Sequence, residues 1–242
     1  EDSLTHDNAV DTLKTVSLPL VPLIAGKETQ RNVPIGITHL HHFFTPREHL
    51  FVAALLERIR GFPDANLRQM LLFALTASLP YTSRMRRFRA DRKGGGPLSG
   101  TLYIGSLITP PNVIRTFERN AATIAASLCP PVDPLRQSAI STQDAGSLRL
   151  MPSNSIDYIF TDPPFGHNFD YSELNFFWEG LLGVVTNQKP EAIVSASQSK
   201  GIDEYRDLME RSFAEYYRIL KPGRWLTVEF SNTKASVWNA IQ

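Results

Sequence analysis

The chain of 242 residues lacks several features that would place a protein in a structural class at once. It has a single cysteine, Cys129, which excludes an intramolecular disulfide and a zinc site built from cysteines. No apolar run reaches the roughly 18 residues of a membrane-spanning helix, and no internal repeat stands out. The acidic, polar start Glu1–Asn8 does not have the pattern of a signal peptide. A cytoplasmic location without a membrane partner is therefore the expectation.

Charge is balanced over the whole chain but concentrated in one segment. The formal net charge is +1, whereas the segment RMRRFRADRK at residues 84–93 contains six basic residues and one acid. The basic side chains predicted to contact phosphates are Arg84, Arg86, Arg87, Arg89, Arg92 and Lys93. Such contacts give affinity that depends on salt and not on base sequence. The alternative interpretation is an exposed, solvated loop, since three glycines and Pro97 follow directly.

Residues 1–130 have the pattern of a mainly helical region that includes the basic loop 84–96. Thr45, Pro46 and Glu48 predict a helix start with a capping box, and the helix is expected to reach about Arg60. Its predicted core-facing residues are Leu50, Phe51, Ala54, Leu55 and Ile59. A second helix is expected from Asp64 to about Leu79, with its apolar run from Met70 to Leu75 deeply buried, and a third from Asn112 to Leu128. A short strand is predicted at residues 102–104.

Residues 131–242 have an alternating strand and helix pattern, and we treat them as a second region. Strands are predicted at Ser138–Thr142, Asp157–Thr161 and Trp225–Phe230. A helix capped by Asp203 is expected to reach about Leu220, and another starts near Ala235. The apolar run Tyr158–Phe160 predicts a strand that is buried on both faces, as in a parallel sheet.

The segment with the clearest chemistry is Asp162-Pro163-Pro164-Phe165, directly after the second of these strands. Ligands of open α/β sheets bind beyond the carboxyl ends of the strands. Two consecutive prolines stiffen the backbone and remove two N–H donors, while their carbonyls stay able to accept hydrogen bonds. A carboxylate, rigid carbonyls and an aromatic ring in this order suit a planar ligand that carries an amino group. The alternative is a rigid turn in which Asp162 caps backbone N–H groups.

This segment resembles the catalytic motif of the amino methyltransferases that make N6-methyladenine or N4-methylcytosine in DNA. The resemblance extends to LMPSNSIDYIFTDPPF (150–165), YSELN (171–175) and YRILKPGRWLTVEF (217–230). It also covers HHFFTPREHL (41–50) and GTLYIGSL (100–107), which are similar to a subgroup of large bacterial DNA methylases. It implies an α/β fold with a Rossmann-like sheet and a site-specific enzyme of the restriction-modification type. It further implies S-adenosylmethionine as cofactor, duplex DNA with a flipped base as partner, Asp162, Pro163, Pro164 and Phe165 as catalytic residues, and Asp144 and Asp162 as cofactor contacts.

The implied reaction is direct attack of the amino nitrogen on the methyl group, without a covalent enzyme intermediate. Asp162 and the Pro163 carbonyl are expected to accept the two amino hydrogens, and Phe165 to stack on the extruded base. Two alternatives stay open. One is an RNA base methyltransferase, and the other is a non-catalytic DNA-binding or assembly subunit that keeps the fold. For Asp144 a solvated turn is the competing interpretation.

Two features depart from a complete enzyme of this family. No Phe-x-Gly-x-Gly-like loop for S-adenosylmethionine occurs, and few strands are predicted, so the expected sheet is incomplete. The sequence therefore predicts a fragment or split subunit, whose missing part carries the glycine-rich loop. A cluster of histidines, His39, His41, His42 and His49, has no acid or cysteine at metal-ligand spacing, and no metal site is predicted.

Overall fold

The computed structural model describes residues 17–91, 95–127, 138–167 and 169–241. Its helices are α1 (Lys27–Gln30), α2 (Pro46–Arg60), α3 (Ala65–Thr82), α4 (Val113–Ser127), α5 (Tyr171–Leu182), α6 (Ile202–Ile219) and α7 (Ala235–Asn239), and its strands are β1 (Ile156–Thr161) and β2 (Leu220–Val228). Short 3₁₀ turns lie at Val33–Ile35, Leu40–Phe43 and Ala196–Gln198. The chain divides into two compact units. The first takes the described residues of Glu1–Arg136 and Asn175–Val185, and the second those of Gln137–Leu174 and Thr186–Gln242.

The first unit is helical, and the three predicted helices are confirmed. The Asp64 carboxylate caps α3 by accepting the N–H of Leu67 at 2.8 Å. The capping box expected at the start of α2 is wrong, because the Thr45 side chain makes no capping bond and Glu48 is buried. The Glu48 carboxylate instead accepts two hydrogen bonds from Arg47, at 2.9 and 2.5 Å.

The buried sides of α2 and α3 differ from the prediction. The core of α2 is formed by Val52, Ala53, Leu56 and Ile59, whereas Leu50 and Phe51 are each 37% exposed. In α3, Ala74 and Leu75 are buried, but Phe73 is 64% exposed. A uniformly apolar stretch has no periodicity that marks an inner face, so packing against neighbouring helices selects it. The short strand expected at residues 102–104 is also absent from the described residues.

The second half of α5 belongs to this first unit, although the sequence predicts one continuous region from residue 131 to 242. The ring of Phe177 stacks on Phe44 and meets Phe43 edge-on, with centroids 5.7 and 5.4 Å apart. The Trp178 indole N–H donates to the Thr76 carbonyl at 3.1 Å. The apolar side of α5 is thus buried among residues that are distant in sequence. These contacts explain why this part of α5 belongs to the first unit. The expected boundary near residue 130 lies outside the described residues.

The second unit contains a parallel pair of strands with α6 on one face, which makes the protein a mixed α/β structure. Tyr158 pairs with Trp225, and Thr161 with Val228. On the α6 side, the Thr161 and Tyr216 hydroxyls are 3.4 Å apart. On the opposite face, Tyr158, Phe160 and Trp225 are 55%, 59% and 77% exposed.

That exposure corrects the expectation of a strand buried on both faces. Within the described residues the sheet has two strands, so no further strand or helix covers the aromatic face. The strand predicted at Ser138–Thr142 is wrong as well. These residues pair with no strand, and Ile140 is 99% exposed. An apolar run forms a strand only where a partner strand accepts its backbone hydrogen bonds.

Arg218 of α6 holds the segment that leads into β1. Its guanidinium donates to the carbonyls of Leu148 and Met151, both at 2.9 Å. The Glu215 carboxylate pairs with Arg218 and accepts the N–H of Leu148 at 2.7 Å. The hydrogen bond from Arg218 is the main cause that lowers the pKa of Glu215, and the bond from the Leu148 N–H adds to it. The pKa falls to about 2.

The Glu215 interactions predict a defined acid sensitivity. A carboxyl group whose folded pKa is lowered stabilises the fold above its unfolded value, and this stabilisation disappears as pH falls from about 4.5 towards 2. We expect Glu215→Gln to flatten the dependence of unfolding free energy on pH across that window, measured by urea unfolding followed by circular dichroism. Glu210→Gln, on an exposed position of the same helix, is the control. If the unfolding free energy of the wild type and of Glu215→Gln depended equally on pH in this window, Glu215 would not be the source of the acid sensitivity.

In the described ranges, no helix combines the length and apolar character needed to cross a membrane.

Candidate functional site

The loop Asp162–Gly166 begins where β1 ends, at the carboxyl end of the parallel pair. The Thr161 carbonyl still takes part in the strand pairing, since it accepts the N–H of Glu229 at 2.9 Å. From Asp162 onward the chain leaves the sheet. The strand that was predicted to precede the loop is confirmed, and the loop lies at the edge where α/β proteins bind ligands.

Three consecutive carbonyls of this loop are held by three separate parts of the second unit. The Tyr205 hydroxyl of α6 donates to the Pro164 carbonyl at 2.7 Å. The Asn232 side-chain amide donates to the Phe165 carbonyl at 2.6 Å. The Gly166 carbonyl accepts the N–H of Val194 at 3.2 Å. With the proline rings limiting the backbone, these bonds give the loop one conformation.

Gly166 closes the loop in a conformation that other residues avoid. Its φ is +81°, in the left-handed region. A Cβ added at this position would lie 3.1 Å from a methyl group of Val237, which is fully buried. Both the backbone angle and the close approach of α7 therefore require glycine.

Two further acceptors, the Asp162 carboxylate and the Pro163 carbonyl, precede the held carbonyls. Asp162 is exposed, and its carboxylate makes no hydrogen bond or ion pair with any described residue. The same part of the chain supplies no donor to the Pro163 carbonyl, although Pro163 is buried. Backbone carbonyls in folded proteins are mostly paired, so the Pro163 carbonyl is a position that a ligand donor can occupy. Asp162 and Pro163 thus present two adjacent acceptors to which no described residue donates.

Two tyrosines lie close to these acceptors and stay protonated. Burial, followed by the negative charges of Asp162 and Glu191, raises the pKa of the Tyr171 phenol. Burial also raises the pKa of Tyr205 to about 12. Because both hydroxyls are neutral near pH 7, Tyr205 remains a donor to the loop, and Tyr171 adds no second negative charge beside Asp162.

The aromatic ring of the motif is supported from one side. Phe165 meets Phe230 edge-on, with ring centroids 5.3 Å apart, and Phe230 meets Trp238 in the same way at 5.0 Å. The Trp238 indole N–H donates to the Asn232 carbonyl at 2.7 Å. This bond connects the three aromatic rings to Asn232, whose side chain binds the Phe165 carbonyl. Phe165 is itself only partly buried. A ring held on one side and accessible on another can stack on a planar ligand.

Asp144, the other predicted cofactor contact, lies in a tight turn. Its carboxylate accepts the N–H of Gly146 at 2.8 Å and is 3.8 Å from the Arg211 guanidinium. The strand expected before it is absent, so Asp144 does not follow a strand end. Its carboxylate is engaged in this turn, and no glycine-rich turn follows a strand among the described residues, so this part of the chain does not supply the loop expected to hold S-adenosylmethionine.

The predicted phosphate-contacting arginines do not form one uniform surface. Arg86 and Arg87 donate to the carbonyls of Gly95 and Gly96, at 2.9 and 3.3 Å. Arg89 pairs with Asp91 at 2.6 Å. Arg84 lines a cleft of the first unit. Arg92 and Lys93 lie outside the described residues.

The sequence reasoning missed the residues that hold the motif. Tyr205 lies in the helix predicted near Asp203, but neither Tyr205 nor Asn232 is among the predicted site residues. A tyrosine hydroxyl on an otherwise apolar helix face, and an asparagine shortly after a strand end, were the available signals. Neither identifies its partner, because the hydrogen bonds span 41 and 67 residues.

Comparison of the chain with family models, curated proteins and solved structures found no match.

Proposed function

We propose that this chain carries the amine-activating loop of a DNA methyltransferase that acts on N6 of adenine or N4 of cytosine. The observation that supports it most is the contrast within the loop. The carbonyls of Pro164 and Phe165 are engaged, whereas the carboxylate of Asp162 and the carbonyl of Pro163 accept no hydrogen bond from any described residue. Two adjacent acceptors match the two hydrogens of one primary amino group.

The chemistry needs this arrangement because an amino group conjugated to a base is a weak nucleophile. Its lone pair is delocalised into the ring, which keeps the nitrogen flat. Hydrogen bonds from both amino hydrogens to Asp162 and Pro163 favour a pyramidal nitrogen with a localised lone pair. The carboxylate also stabilises the positive charge that develops on nitrogen during transfer. Asp162, exposed and unpaired, is available for both roles.

Phe165 has a separate role in this proposal. A target base must leave the duplex stack to reach the loop, and this costs a few kcal/mol. Stacking on Phe165 offsets part of that cost, at about 1–3 kcal/mol for an aromatic side chain against a base. Edge-on support by Phe230 keeps the ring oriented before the base arrives.

The proposed methyl donor is S-adenosylmethionine, held with a part of the enzyme that brings the glycine-rich loop. The exposed aromatic face of Tyr158, Phe160 and Trp225 supports such a partner. Parallel sheets are normally covered on both faces, and an apolar face of this kind is typical of an interaction surface.

A radiolabelled methyl-transfer assay tests this function. The chain alone and the longest product of its gene are each incubated with labelled S-adenosylmethionine and either duplex DNA or RNA, and the modified base is identified. We expect N6-methyladenine or N4-methylcytosine in DNA from the longest product. Label in RNA would favour the RNA enzyme instead. DNA binding without any transfer would favour the non-catalytic subunit.

A further inference from the structure

A cleft of about 320 Å³ with both polar and apolar lining residues lies within the first unit, and the proposed reaction does not use it. Its polar lining consists of His41, His42, His49 and Arg84, and its apolar lining includes Ile35, Ile37, Phe44 and Pro46. The histidines come from the 3₁₀ turn Leu40–Phe43 and from the start of α2. Arg84 follows α3, and its backbone N–H donates to the Phe43 carbonyl at 2.7 Å. Three chain segments therefore bring nitrogen-bearing side chains to one cavity.

The imidazole rings are close enough to disfavour one another's charge. The His41 ring centroid lies 4.1 Å from that of His42 and 5.8 Å from that of His49. Burial is the main cause that lowers the pKa of each of these three rings. Neighbouring histidines lower the pKa of His41 and His42 further, and Arg84 adds to the effect on His42. The rings are consequently neutral near pH 7.

Backbone donors determine the tautomers of two of these neutral rings. The Thr38 N–H donates to His42 Nδ1 at 3.1 Å, so the ring proton of neutral His42 is on Nε2. The Leu18 N–H donates to His49 Nε2 at 3.0 Å, so the proton of neutral His49 is on Nδ1. Each ring thus keeps one N–H donor that the backbone does not use.

Further nitrogens of the cleft are buried without a partner. His41 Nδ1 and Arg84 Nε are both inaccessible to solvent and make no hydrogen bond with described residues. Glu48 Oε2 is likewise buried without a partner among the described residues, while the other carboxylate oxygen of Glu48 accepts a hydrogen bond from Arg47. The donors that the cleft offers to a ligand are therefore the ring N–H groups of His42 and His49 and the guanidinium of Arg84. A ligand rich in acceptors would match them.

We propose that this cleft binds a phosphate group. Phosphate oxygens are strong acceptors, and a tetrahedral group can receive N–H donors from several directions at once, as the lining side chains provide. Arg84 supplies the permanent positive charge. The phosphate belongs either to a nucleic-acid backbone or to a free phosphorylated compound, and both present the same chemistry. The proposal does not depend on the proposed methyl transfer. Among the described residues no group of histidine, cysteine and acidic side chains is arranged to hold a metal ion.

Calorimetric titration with inorganic phosphate at constant ionic strength tests the site directly. We expect saturable binding that Arg84→Gln weakens by about tenfold or more, because a charge-assisted hydrogen bond is lost. Arg89→Gln is the matched control, since Arg89 belongs to the same basic segment but pairs with Asp91. No phosphate binding up to millimolar concentration, or equal affinity in both variants, would overturn the proposal.

Histidine NMR on the unmodified chain provides a readout that does not depend on a variant folding. Bound phosphate is expected to raise the pKa values of His41, His42 and His49 relative to a chloride buffer, because the anion favours the charged rings. Unchanged titration curves would argue against binding at this cleft. A short DNA duplex then separates the two sources. Competition between duplex and phosphate identifies a backbone phosphate, whereas independent binding identifies a free phosphorylated ligand.

Discussion

Replacing Asp162 by alanine is expected to lower the methyl-transfer rate by about 10²–10³-fold, the usual loss when one preorganised group that stabilises developing charge is removed. The Asp162 carboxylate is exposed and makes no hydrogen bond with the described residues. Its loss therefore removes a group that acts on the substrate, with no internal contact broken. Labelled methyl transfer to DNA, measured on the form of the enzyme that shows activity, is the test. Asp162→Asn should lose less activity, since the amide keeps one acceptor oxygen.

The matched control is Asp157→Asn, at the other end of the same strand. Asp157 is also exposed, and its partner is Lys221 at 2.8 Å. Exposed ion pairs of this kind contribute little to stability. We expect this variant to keep both its activity and its unfolding midpoint. Full activity in Asp162→Ala, or an equal loss in Asp157→Asn, would show that Asp162 does not activate the amine.

Replacing Tyr205 by alanine is expected to lower the free energy of unfolding by about 3–5 kcal/mol, the range for removing a large buried aromatic side chain. Tyr205 is fully buried and packs with Met209 and Val237. Its hydroxyl also donates to the Pro164 carbonyl at 2.7 Å. Tyr205→Phe keeps the packing and removes only that bond, so a smaller loss of about 1–3 kcal/mol is expected. Urea unfolding followed by circular dichroism measures both.

Tyr217→Ala is the control for these variants, because Tyr217 lies on the same helix and is 85% exposed. It should unfold like the wild type. Tyr205→Phe should in addition reduce methyl transfer more than its stability loss at working temperature explains, since the Pro164 carbonyl loses the donor that orients the motif. If Tyr205→Ala and Tyr205→Phe both retain wild-type stability, Tyr205 does not anchor the loop as proposed.

The raised pKa of Tyr205 adds an alkaline test of the same contact. In the unfolded chain a tyrosine ionises near its ordinary pKa of 10.0, whereas in the folded chain Tyr205 keeps its proton to about 12. The stabilisation is therefore complete below pH 10 and declines as pH rises towards 12. Tyr205→Phe should remove this part of the alkaline decline.

Much of the secondary structure could be predicted because its signals are local. Asp64 caps α3 through a bond to a residue three positions away, and Pro46 begins α2 as expected. The Asp162 motif was expected after a strand, and β1 precedes it. Asp203, predicted as the cap of α6, lies inside the helix instead, because the helix begins at Ile202 after its cap Gly201, whose N–H donates to the Glu204 carboxylate at 2.7 Å. Such features depend on neighbours within a few residues, which the order of amino acids specifies directly.

The properties that make the motif a candidate site arise from contacts between distant residues. Asp162, Pro163, Pro164 and Phe165 follow one another in the chain, but hydrogen bonds from the distant residues Tyr205 and Asn232 distinguish the Pro164 and Phe165 carbonyls from the other two acceptors. The same holds for the burial of α2, for the open face of the sheet and for the cleft that joins Arg84 to the histidines. Local sequence is sufficient where hydrogen bonds and φ angles are local. Burial, the state of each acceptor and the grouping of charges depend on which remote surfaces meet, and this follows from packing the whole unit.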